Sequence, residues 1–291
     1  MYNHTFYLSE AALIAFKQDG FLQIPTGIPN TMLQTLRALF DELMNASTNR
    51  DKATNTVNGR TYITNLEKLC SKGNLSCLEL LGAPYILGLA ESICGNDFFL
   101  IQEFAVIKML GDNLPVLWHQ DMLHQRTGNC FTMGIYLDDA PVDDGALLVV
   151  PGSHANGKSI CESKNDPTIA VPMKAGDILL HDMMLAHSSG PMHTLPIRRV
   201  IYFEFLSVSH VRNEKLYTEN LLHQRCSLMP VAIEHYKQLH PAENTFEWKS
   251  PMGEEALTYP SQAVALQQIY EQEIHAIPST YCFEGLHSTI V

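Results

Sequence analysis

The 291-residue chain contains no apolar run that approaches 18 residues, so we expect no membrane-spanning helix. Its first ten residues lack the basic and apolar regions of a secretory signal peptide. Basic residues are scarce: 19 lysines and arginines face 31 aspartates and glutamates, which gives a net charge of −12. That balance argues against nucleic acid or an anionic membrane as the main partner, although one or two local cations could still hold a small anionic ligand.

No two of the seven cysteines have CxxC spacing, and their odd number gives no disulfide framework. We therefore expect free thiols in a reducing cytoplasm. With 46% hydrophobic and 17% charged residues, the chain has the composition of an ordinary globular protein that can build a sizeable core without covalent staples. The cysteines are Cys70, Cys77, Cys94, Cys130, Cys161, Cys226 and Cys282.

The first hundred residues show helical periodicity. Ser9 can cap a helix that ends at Gly20, and Asn30 can cap a second helix with a continuous apolar face. A third helix is predicted across Leu78–Ile93. Between the second and third helices, residues 45–60 contain only three apolar side chains, which predicts a solvated loop. This loop could close over a site as a lid or stay passive, and the sequence leaves both interpretations open.

From Phe98 to Val208 the pattern changes. Short β-rich runs alternate with glycine, proline and aspartate turns, which is typical of a sandwich or barrel of the jelly-roll kind. Beyond this block the pattern becomes weakly helical, over Met229–Leu239 and Ser261–Ile274, so one domain with helical flanks fits better than two. The predicted strands are Phe98–Met109, Val116–Asp121, Cys130–Leu137, Ala146–Val150, Asp177–Leu180 and Val200–Val208.

A His-x-Asp pair, His119 and Asp121, lies on the second of these strands. Because side chains alternate faces along a strand, both point the same way and can occupy adjacent corners of a metal. His187, which follows a distant strand, is the best third ligand. Two imidazoles and a carboxylate form a facial triad that suits non-heme Fe(II) and leaves positions open. Arg198 begins another strand, where its guanidinium fork could bind a carboxylate.

The order of the motifs is more specific than any single one. WHQD at 118–121 is followed by DDGALLVVPGSH at 143–154, AGDILLHDMMLAHSSGP at 175–191 and IRR at 197–199. Over residues 9–208 the chain resembles the phytanoyl-CoA dioxygenase family of Fe(II)- and 2-oxoglutarate-dependent oxygenases, which includes ectoine hydroxylases and natural-product oxygenases. The resemblance implies a mainly β fold with flanking helices, built as a double-stranded β-helix (jelly roll, cupin-like).

The resemblance also implies how the chain is divided and what it does. We expect a single dioxygenase domain over residues 1–291, with a helical part over about 1–95, a jelly-roll core over about 96–210 and a C-terminal extension over about 211–291. The implied reaction uses O2 to oxidise a C–H bond of a small-molecule metabolite and converts 2-oxoglutarate into succinate and CO2. Hydroxylation, desaturation and rearrangement all stay open.

Each matching residue receives an implied role from the family. The residues that match the Fe(II) ligands are His119, Asp121 and His187. Arg198 matches the arginine that grips the distal carboxylate of 2-oxoglutarate, and Gln102 and Thr132 match positions near that cosubstrate. Halogenating relatives lack the triad carboxylate, so the presence of Asp121 argues against halogenation.

The sequence departs from the family pattern in several places. Gly134 stands where many members carry a tryptophan, which would widen the pocket or let the backbone approach a ligand. Asp144-Gly145 replaces the usual Asn-Gly turn and should turn equally well. His124 and His181 lie near the motifs, and we expect neither to bind the metal.

Two other functions agree less well with the sequence than a small-molecule oxygenase does. An acyl-CoA hydroxylase would need a basic patch for the CoA phosphates, and no cluster of lysine and arginine is present. A catalytically silent jelly roll that binds a metal or ligand would have no need for all three ligands together with Arg198. We therefore expect a cytoplasmic enzyme with a small-molecule substrate and no nucleic-acid or membrane partner; a homodimer is compatible with the sequence.

Overall fold

A computed structural model describes residues 7–46, 51–122, 128–253, 258–271 and 279–283. Two antiparallel sheets form the double-stranded β-helix that the sequence predicts. Strands of the larger sheet are β1 (Phe21–Ile24), β2 (Lys52–Val57), β3 (Arg60–Glu67), β4 (Phe98–Met109), β6 (Cys130–Tyr136), β9 (Ile178–Asp182) and β11 (Ile197–Ser207). Strands of the smaller sheet are β5 (Val116–Gln120), β7 (Leu147–Val149), β8 (Ile169–Val171), β10 (His187–Ser189) and β12 (Thr280–Tyr281). The larger sheet has the order β1-β9-β6-β11-β4-β3-β2, and the smaller sheet has the order β12-β5-β10-β7-β8.

All six predicted strands are present, and their ends differ from the predicted ends by three residues or fewer. They were predictable because most of them are buried apolar runs bounded by turn residues. Three of the strands that were not predicted, β8, β10 and β12, have only two or three residues each. Runs this short carry no periodicity, so their pairing depends on the rest of the sheet.

The prediction of a solvated loop over residues 45–60 is wrong. Lys52–Val57 pairs with Arg60–Glu67 as a hairpin that extends the edge of the larger sheet. Its turn consists of Asn58 and Gly59, both at positive φ (50° and 76°), as a two-residue hairpin turn requires. The strand escaped prediction because its Thr/Asn-rich side chains are largely exposed and give no apolar alternation. Residues 47–50, part of the predicted loop, lie outside the described residues.

Most of the helices that contact a strand pack against the larger sheet, whereas the short helix Ile160–Ser163 contacts the smaller sheet. The first helix begins as predicted, because the Ser9 hydroxyl accepts a hydrogen bond from the Ala12 amide, and it ends at Gly20 with φ 81°. Asn30 is the first residue of the second helix rather than its cap; Pro29 precedes it and provides no side-chain cap. The helices are α1 (Glu10–Asp19), α2 (Asn30–Asn45), α3 (Ser76–Gly82), α4 (Pro84–Cys94), α5 (Ile160–Ser163), α6 (Val208–Glu214), α7 (Glu219–Leu239) and α8 (Gln262–Glu271).

The predicted helix over Leu78–Ile93 is broken into α3 and α4. Ala83 has extended backbone (φ −66°, ψ 129°), because the residue before a proline is pushed out of the helical region by Pro84. Among the described residues no single helix is long and apolar enough to cross a membrane. The bent pair α3 and α4, with 55° between its members, passes the same test on length and composition, and both helices are largely buried in the core.

Two hydrophobic clusters lie on opposite faces of the larger sheet. On β11, Ile201, Phe203 and Phe205 belong to the cluster that packs against the helices. Val200 and Tyr202 belong to a second cluster, which also contains side chains of β7 and β8 and therefore lies between the two sheets. The alternation on this strand thus separates a helix-facing side from an inner side.

The C-terminal segment is tied back onto the smaller sheet. β12 pairs with β5, and Cys282, which directly follows β12, forms a disulfide with Cys161 of α5. The expectation of free thiols throughout is therefore wrong for these two cysteines. The pair was not predictable from the sequence, because the two cysteines are 121 positions apart and have no CxxC spacing. The other five cysteines form no disulfide within the described residues, and all five are buried.

Candidate metal centre

The smaller sheet brings the two histidines of the predicted triad together. His119 on β5 and His187 on β10 are register partners, and their ring centroids lie 4.0 Å apart. Asp121 follows β5, where its amide donates to the carbonyl of Met183 (2.8 Å). One ligating atom from each of His119, Asp121 and His187 lies within 4.8 Å of the other two. The donor set is compact enough to hold one metal ion.

Hydrogen bonds fix the tautomer of both imidazoles. The Nδ1 atom of His119 lies 2.8 Å from the Leu117 carbonyl oxygen, and Nδ1 of His187 lies 2.8 Å from the Leu185 carbonyl oxygen. A carbonyl oxygen only accepts, so each Nδ1 carries the proton and each Nε2 keeps a free lone pair. Burial, together with the nearby His119, lowers the pKa of His187 to about 3, which keeps this ring neutral. Neutral imidazoles with free Nε2 atoms are the form that binds a metal.

The carboxylate of Asp121 uses its two oxygens differently. Its Oδ1 lies 3.4 Å from Nε2 of His119 and 3.6 Å from Nε2 of His187. Its Oδ2 accepts hydrogen bonds from the Thr132 hydroxyl (3.0 Å) and from Nε2 of His181 (3.1 Å). Burial opposes the charge, but the three neighbouring histidines hold the pKa of Asp121 well below its usual range. The carboxylate is therefore anchored on one oxygen and available on the other.

His181 is the residue at this site whose role the sequence did not reveal. Among the described residues it is not one of the three donors that converge. Instead it donates to the Asp121 carboxylate from a strand of the larger sheet. Only the register between β6 and β9, which pairs Thr132 with His181, could have indicated this, and a single sequence does not give that register. His124 lies outside the described residues.

A row of polar side chains crosses the larger sheet opposite the histidines. Glu204 on β11 is the register partner of Gln102 on β4 and of Thr132 on β6, and Thr132 in turn pairs with His181. Gln102 Nε2 donates to a Glu204 carboxylate oxygen at 2.6 Å. Burial and the charge of Asp121 raise the pKa of Glu204 to about 8. Polar groups at this density on an inner face are typical of a site rather than of a core.

Two cavities meet at the triad. The smaller, of about 60 Å³, is lined by the three predicted ligands together with Arg198, Thr132 and Tyr202. The larger, of about 550 Å³, shares His119 and Asp121 and extends to Gln102, Glu204 and Tyr281. Thr132 and Arg198 therefore line the same cavity, whereas Gln102 lines the larger cavity and is not part of the smaller one.

Among the described residues, Arg198 is buried without a carboxylate partner. Its side chain is 1% exposed, one Nη donates to the Gly145 carbonyl oxygen at 2.7 Å, and Nε has no hydrogen-bond partner in the described parts of the chain. Lys108, its register neighbour on β4, is also buried, and its ammonium donates to backbone carbonyl oxygens of Leu114, Ser189 and Gly190. Burial and the Arg198 charge lower the pKa of Lys108 to about 7. A buried, unpaired guanidinium at the end of a cavity fits an acidic ligand.

The structure explains the two departures from the family pattern. At Gly134, an added Cβ would lie 3.0 Å from the ring of Tyr202, so the tyrosine ring occupies the space beside the glycine. The turn at Asp144-Gly145 forms as expected, with Gly145 at φ 89°. Asp144 accepts hydrogen bonds from the backbone amides of residues 193–195 and from the Thr194 hydroxyl. This turn therefore fixes the segment that leads into β11 and Arg198.

Known proteins resemble the chain in sequence and in fold. It is 25% identical to L-proline trans-4-hydroxylase of Streptomyces griseoviridis over 50% of this chain and 55% of the relative. It is 32% identical to a probable alpha-ketoglutarate-dependent hypophosphite dioxygenase of Stutzerimonas stutzeri over 30% of this chain and 38% of the relative. The chain thus matches about half or less of these relatives' lengths. The solved structure of AviO1 from Streptomyces viridochromogenes Tue57 has a TM-score of 0.62 and 25% identity, covering 69% of this chain and 95% of that chain. The family model "Phytanoyl-CoA dioxygenase (PhyH)" matches residues 16–200, more than half of the chain, and the chain belongs to this family.

Proposed function

We propose that this chain is an Fe(II)- and 2-oxoglutarate-dependent dioxygenase that oxidises a C–H bond of a small-molecule metabolite. The observation that carries the proposal is the convergence of His119, Asp121 and His187 within 4.8 Å, beside a cavity that contains the unpaired Arg198. Membership of the PhyH family and the alpha-ketoglutarate dependence named for one relative support the same chemistry. Fe(II), 2-oxoglutarate and O2 are the proposed cofactor and cosubstrates.

The residues present fit ferrous iron. Two neutral imidazoles and one carboxylate are the donor set of non-heme Fe(II) sites that keep open positions, and both Nε2 lone pairs are free because each Nδ1 proton is donated to the backbone. When bound, Fe(II) and 2-oxoglutarate together supply the oxidant: one oxygen atom of O2 enters succinate as CO2 leaves, and the other goes to the substrate. The protein would hold the three ligand side chains in fixed orientations. Backbone carbonyls accept hydrogen bonds from the two histidines, and His181 and Thr132 donate hydrogen bonds to Asp121.

Arg198 is proposed to bind the distal carboxylate of 2-oxoglutarate. Its unsatisfied guanidinium nitrogen would gain a charge-assisted hydrogen bond in a cavity that excludes water. Thr132 is proposed to act at the same cavity through its hydroxyl, while it also holds Asp121. Gln102 lines the neighbouring cavity, so a contact with the cosubstrate would have to be made at the boundary between the two cavities.

The larger cavity is proposed to hold the substrate. Its volume of about 550 Å³ suits a small metabolite, and the aromatic ring of Tyr281, stacked on His119 with centroids 5.0 Å apart, covers one side of the metal site. We further propose that the chain acts as one domain, since β12 at the C-terminal end completes the sheet that carries His119.

Succinate formation tests the function directly. We expect the full-length protein supplied with Fe(II), 2-oxoglutarate and O2 to produce succinate, even before the true substrate is known. His119→Ala should abolish iron binding and succinate formation, whereas His193→Ala, which changes an exposed histidine, should leave both unchanged. Undiminished iron binding and turnover in His119→Ala would contradict the proposed site.

A screen of candidate metabolites would identify the substrate class. The signal to seek is 2-oxoglutarate consumption above the uncoupled rate, followed by mass spectrometry for products that differ by +16 or −2 mass units, the values for one added oxygen atom and for two lost hydrogen atoms. These two outcomes distinguish hydroxylation from desaturation.

A further inference from the structure

The carboxylate of Glu204 is buried in the larger cavity without a cation. The residue is 9% exposed, lies between Gln102 and Thr132 in the polar row, and accepts one hydrogen bond, from Gln102 Nε2. Among the residues that the structure describes, no lysine, arginine or histidine forms an ion pair with it. An ionised carboxylate is costly to bury without a cation, so this carboxyl group ionises most readily when a cationic ligand pairs with it.

Other charged groups that line the same cavity already form hydrogen bonds with the backbone or belong to the metal centre. The ammonium of Lys108 donates to three backbone carbonyls. The Asp112 carboxylate accepts from the amides of Met109 and Leu114. Asp121 belongs to the metal centre. Within the described part of the chain, Glu204 is therefore the acidic group of this cavity whose hydrogen bond comes from a neutral side-chain amide and not from the backbone or the metal centre.

We propose that Glu204 binds a protonated amine of the substrate, so that the enzyme oxidises a small cationic amine or amino compound. The inference rests on the proposed function and adds the substrate class. The carboxylate and the Gln102 amide oxygen offer two acceptors to an ammonium group, and the Gln102 amide, which donates to Glu204, positions the carboxylate. Phe104 and Tyr281 line the same cavity and provide aromatic faces for the cation.

The position of Glu204 explains how such an anchor would direct the chemistry. Glu204 is one strand away from Thr132, whose hydroxyl holds the metal-binding carboxylate. An ammonium held there keeps the carbon skeleton inside the cavity that His119 and Asp121 share, on the side away from Arg198. The two charged groups would then distinguish the two ligands: the Arg198 guanidinium binds the carboxylate of the cosubstrate, and Glu204 binds the amine of the substrate.

Calorimetric titration with two simple probes tests the proposal without turnover. The full-length protein, with Fe(II) and 2-oxoglutarate but no O2, is titrated with cyclohexylammonium and with cyclohexanecarboxylate, which share a ring and differ in charge. We expect the ammonium to bind at least ten-fold more tightly than the carboxylate. Glu204→Gln should weaken ammonium binding at least ten-fold, since it removes the charge but keeps the shape. The control Glu67→Gln removes an exposed carboxylate and should change nothing.

The outcomes separate this inference from the proposed function. Equal affinity for the two probes, or an ammonium affinity that is the same in the wild type and in a folded Glu204→Gln, would overturn the inference. Glu204→Asp keeps the charge and should retain most of the ammonium binding, which guards against a variant that merely misfolds. If succinate forms but the protein binds both probes equally, only the inference is contradicted. If ammonium binding depends on Glu204 but no succinate forms, only the proposed function is contradicted.

Discussion

At the scale of single residues, the site depends on side chains that hold other side chains. The Asp121 carboxylate is fixed by two donors, the Thr132 hydroxyl and His181 Nε2, before any metal binds. Both histidine ligands are likewise fixed by backbone carbonyls two residues earlier in the chain. Such preorganisation means that metal affinity depends on residues that never touch the metal.

Replacement of His181 by leucine tests this dependence. The change removes one of the two hydrogen bonds to Oδ2 of Asp121, so the carboxylate gains freedom to rotate away from the histidines. We expect Fe(II) affinity to fall by about 10–100-fold while the three ligands remain. Fe(II) titration measures the effect, and His193→Leu serves as an exposed control. Wild-type affinity in a folded His181→Leu protein would show that the hydrogen bond has no part in metal binding.

Arg198→Gln separates cosubstrate binding from metal binding. The variant loses the charge that faces the smaller cavity and keeps a shorter, polar side chain. Loss of a charge-assisted contact predicts a rise of about 10–100-fold in the KM for 2-oxoglutarate, with Fe(II) affinity changed less than three-fold, about the scatter of such measurements. Steady-state succinate formation and Fe(II) titration give the two values. A larger effect on iron than on 2-oxoglutarate would contradict the role proposed for Arg198.

At the scale of elements, the sequence predicted the longer buried strands and missed the exposed hairpin and the shortest strands. Strands such as Cys130–Tyr136 are apolar throughout, and the turns between them contain glycine, proline and aspartate. The hairpin over Lys52–Glu67 has polar, exposed side chains, so only its pairing with β4 reveals it. His187 was predicted as a ligand from its place in the motif order, although the three-residue strand that carries it was not predictable.

The turn at Asp144 makes a pH-dependent contribution to stability. Burial alone would raise its pKa, but hydrogen bonds from Thr194 and the neighbouring amides lower the pKa of Asp144 to about 2, from 3.8. The contribution of the carboxylate, about 2 kcal/mol, is therefore complete above pH 3.8 and is lost as the pH falls through about 2. We expect Asp144→Asn to be less stable than the wild type at pH 6, with the difference shrinking toward pH 2. Denaturant unfolding at both pH values measures this, and a constant difference would contradict it.

At the scale of the whole molecule, the site exists only where the two sheets face each other. The two histidines, the aspartate and the arginine could be proposed from the sequence, because their motifs follow one another in a recognisable order along the chain. The sequence did not give Glu204 or His181 a role, because these residues face the metal centre only through the register of β6, β9 and β11. Nor did it give the contact of β12 with β5, which joins residues about 160 positions apart in the chain.

The Cys161–Cys282 disulfide holds this distant contact in place, and its loss should loosen the C-terminal end over the site. Cys161→Ser removes a cross-link between residues 121 positions apart, so we expect the free energy of unfolding to fall by about 3 kcal/mol. Tyr281, next to Cys282, should then leave His119, which widens access to the larger cavity while the triad remains. Thermal unfolding with and without dithiothreitol measures the effect: the reductant should lower the Tm of the wild type and leave that of Cys161→Ser unchanged. An equal response of the two proteins would show that the disulfide does not stabilise this fold.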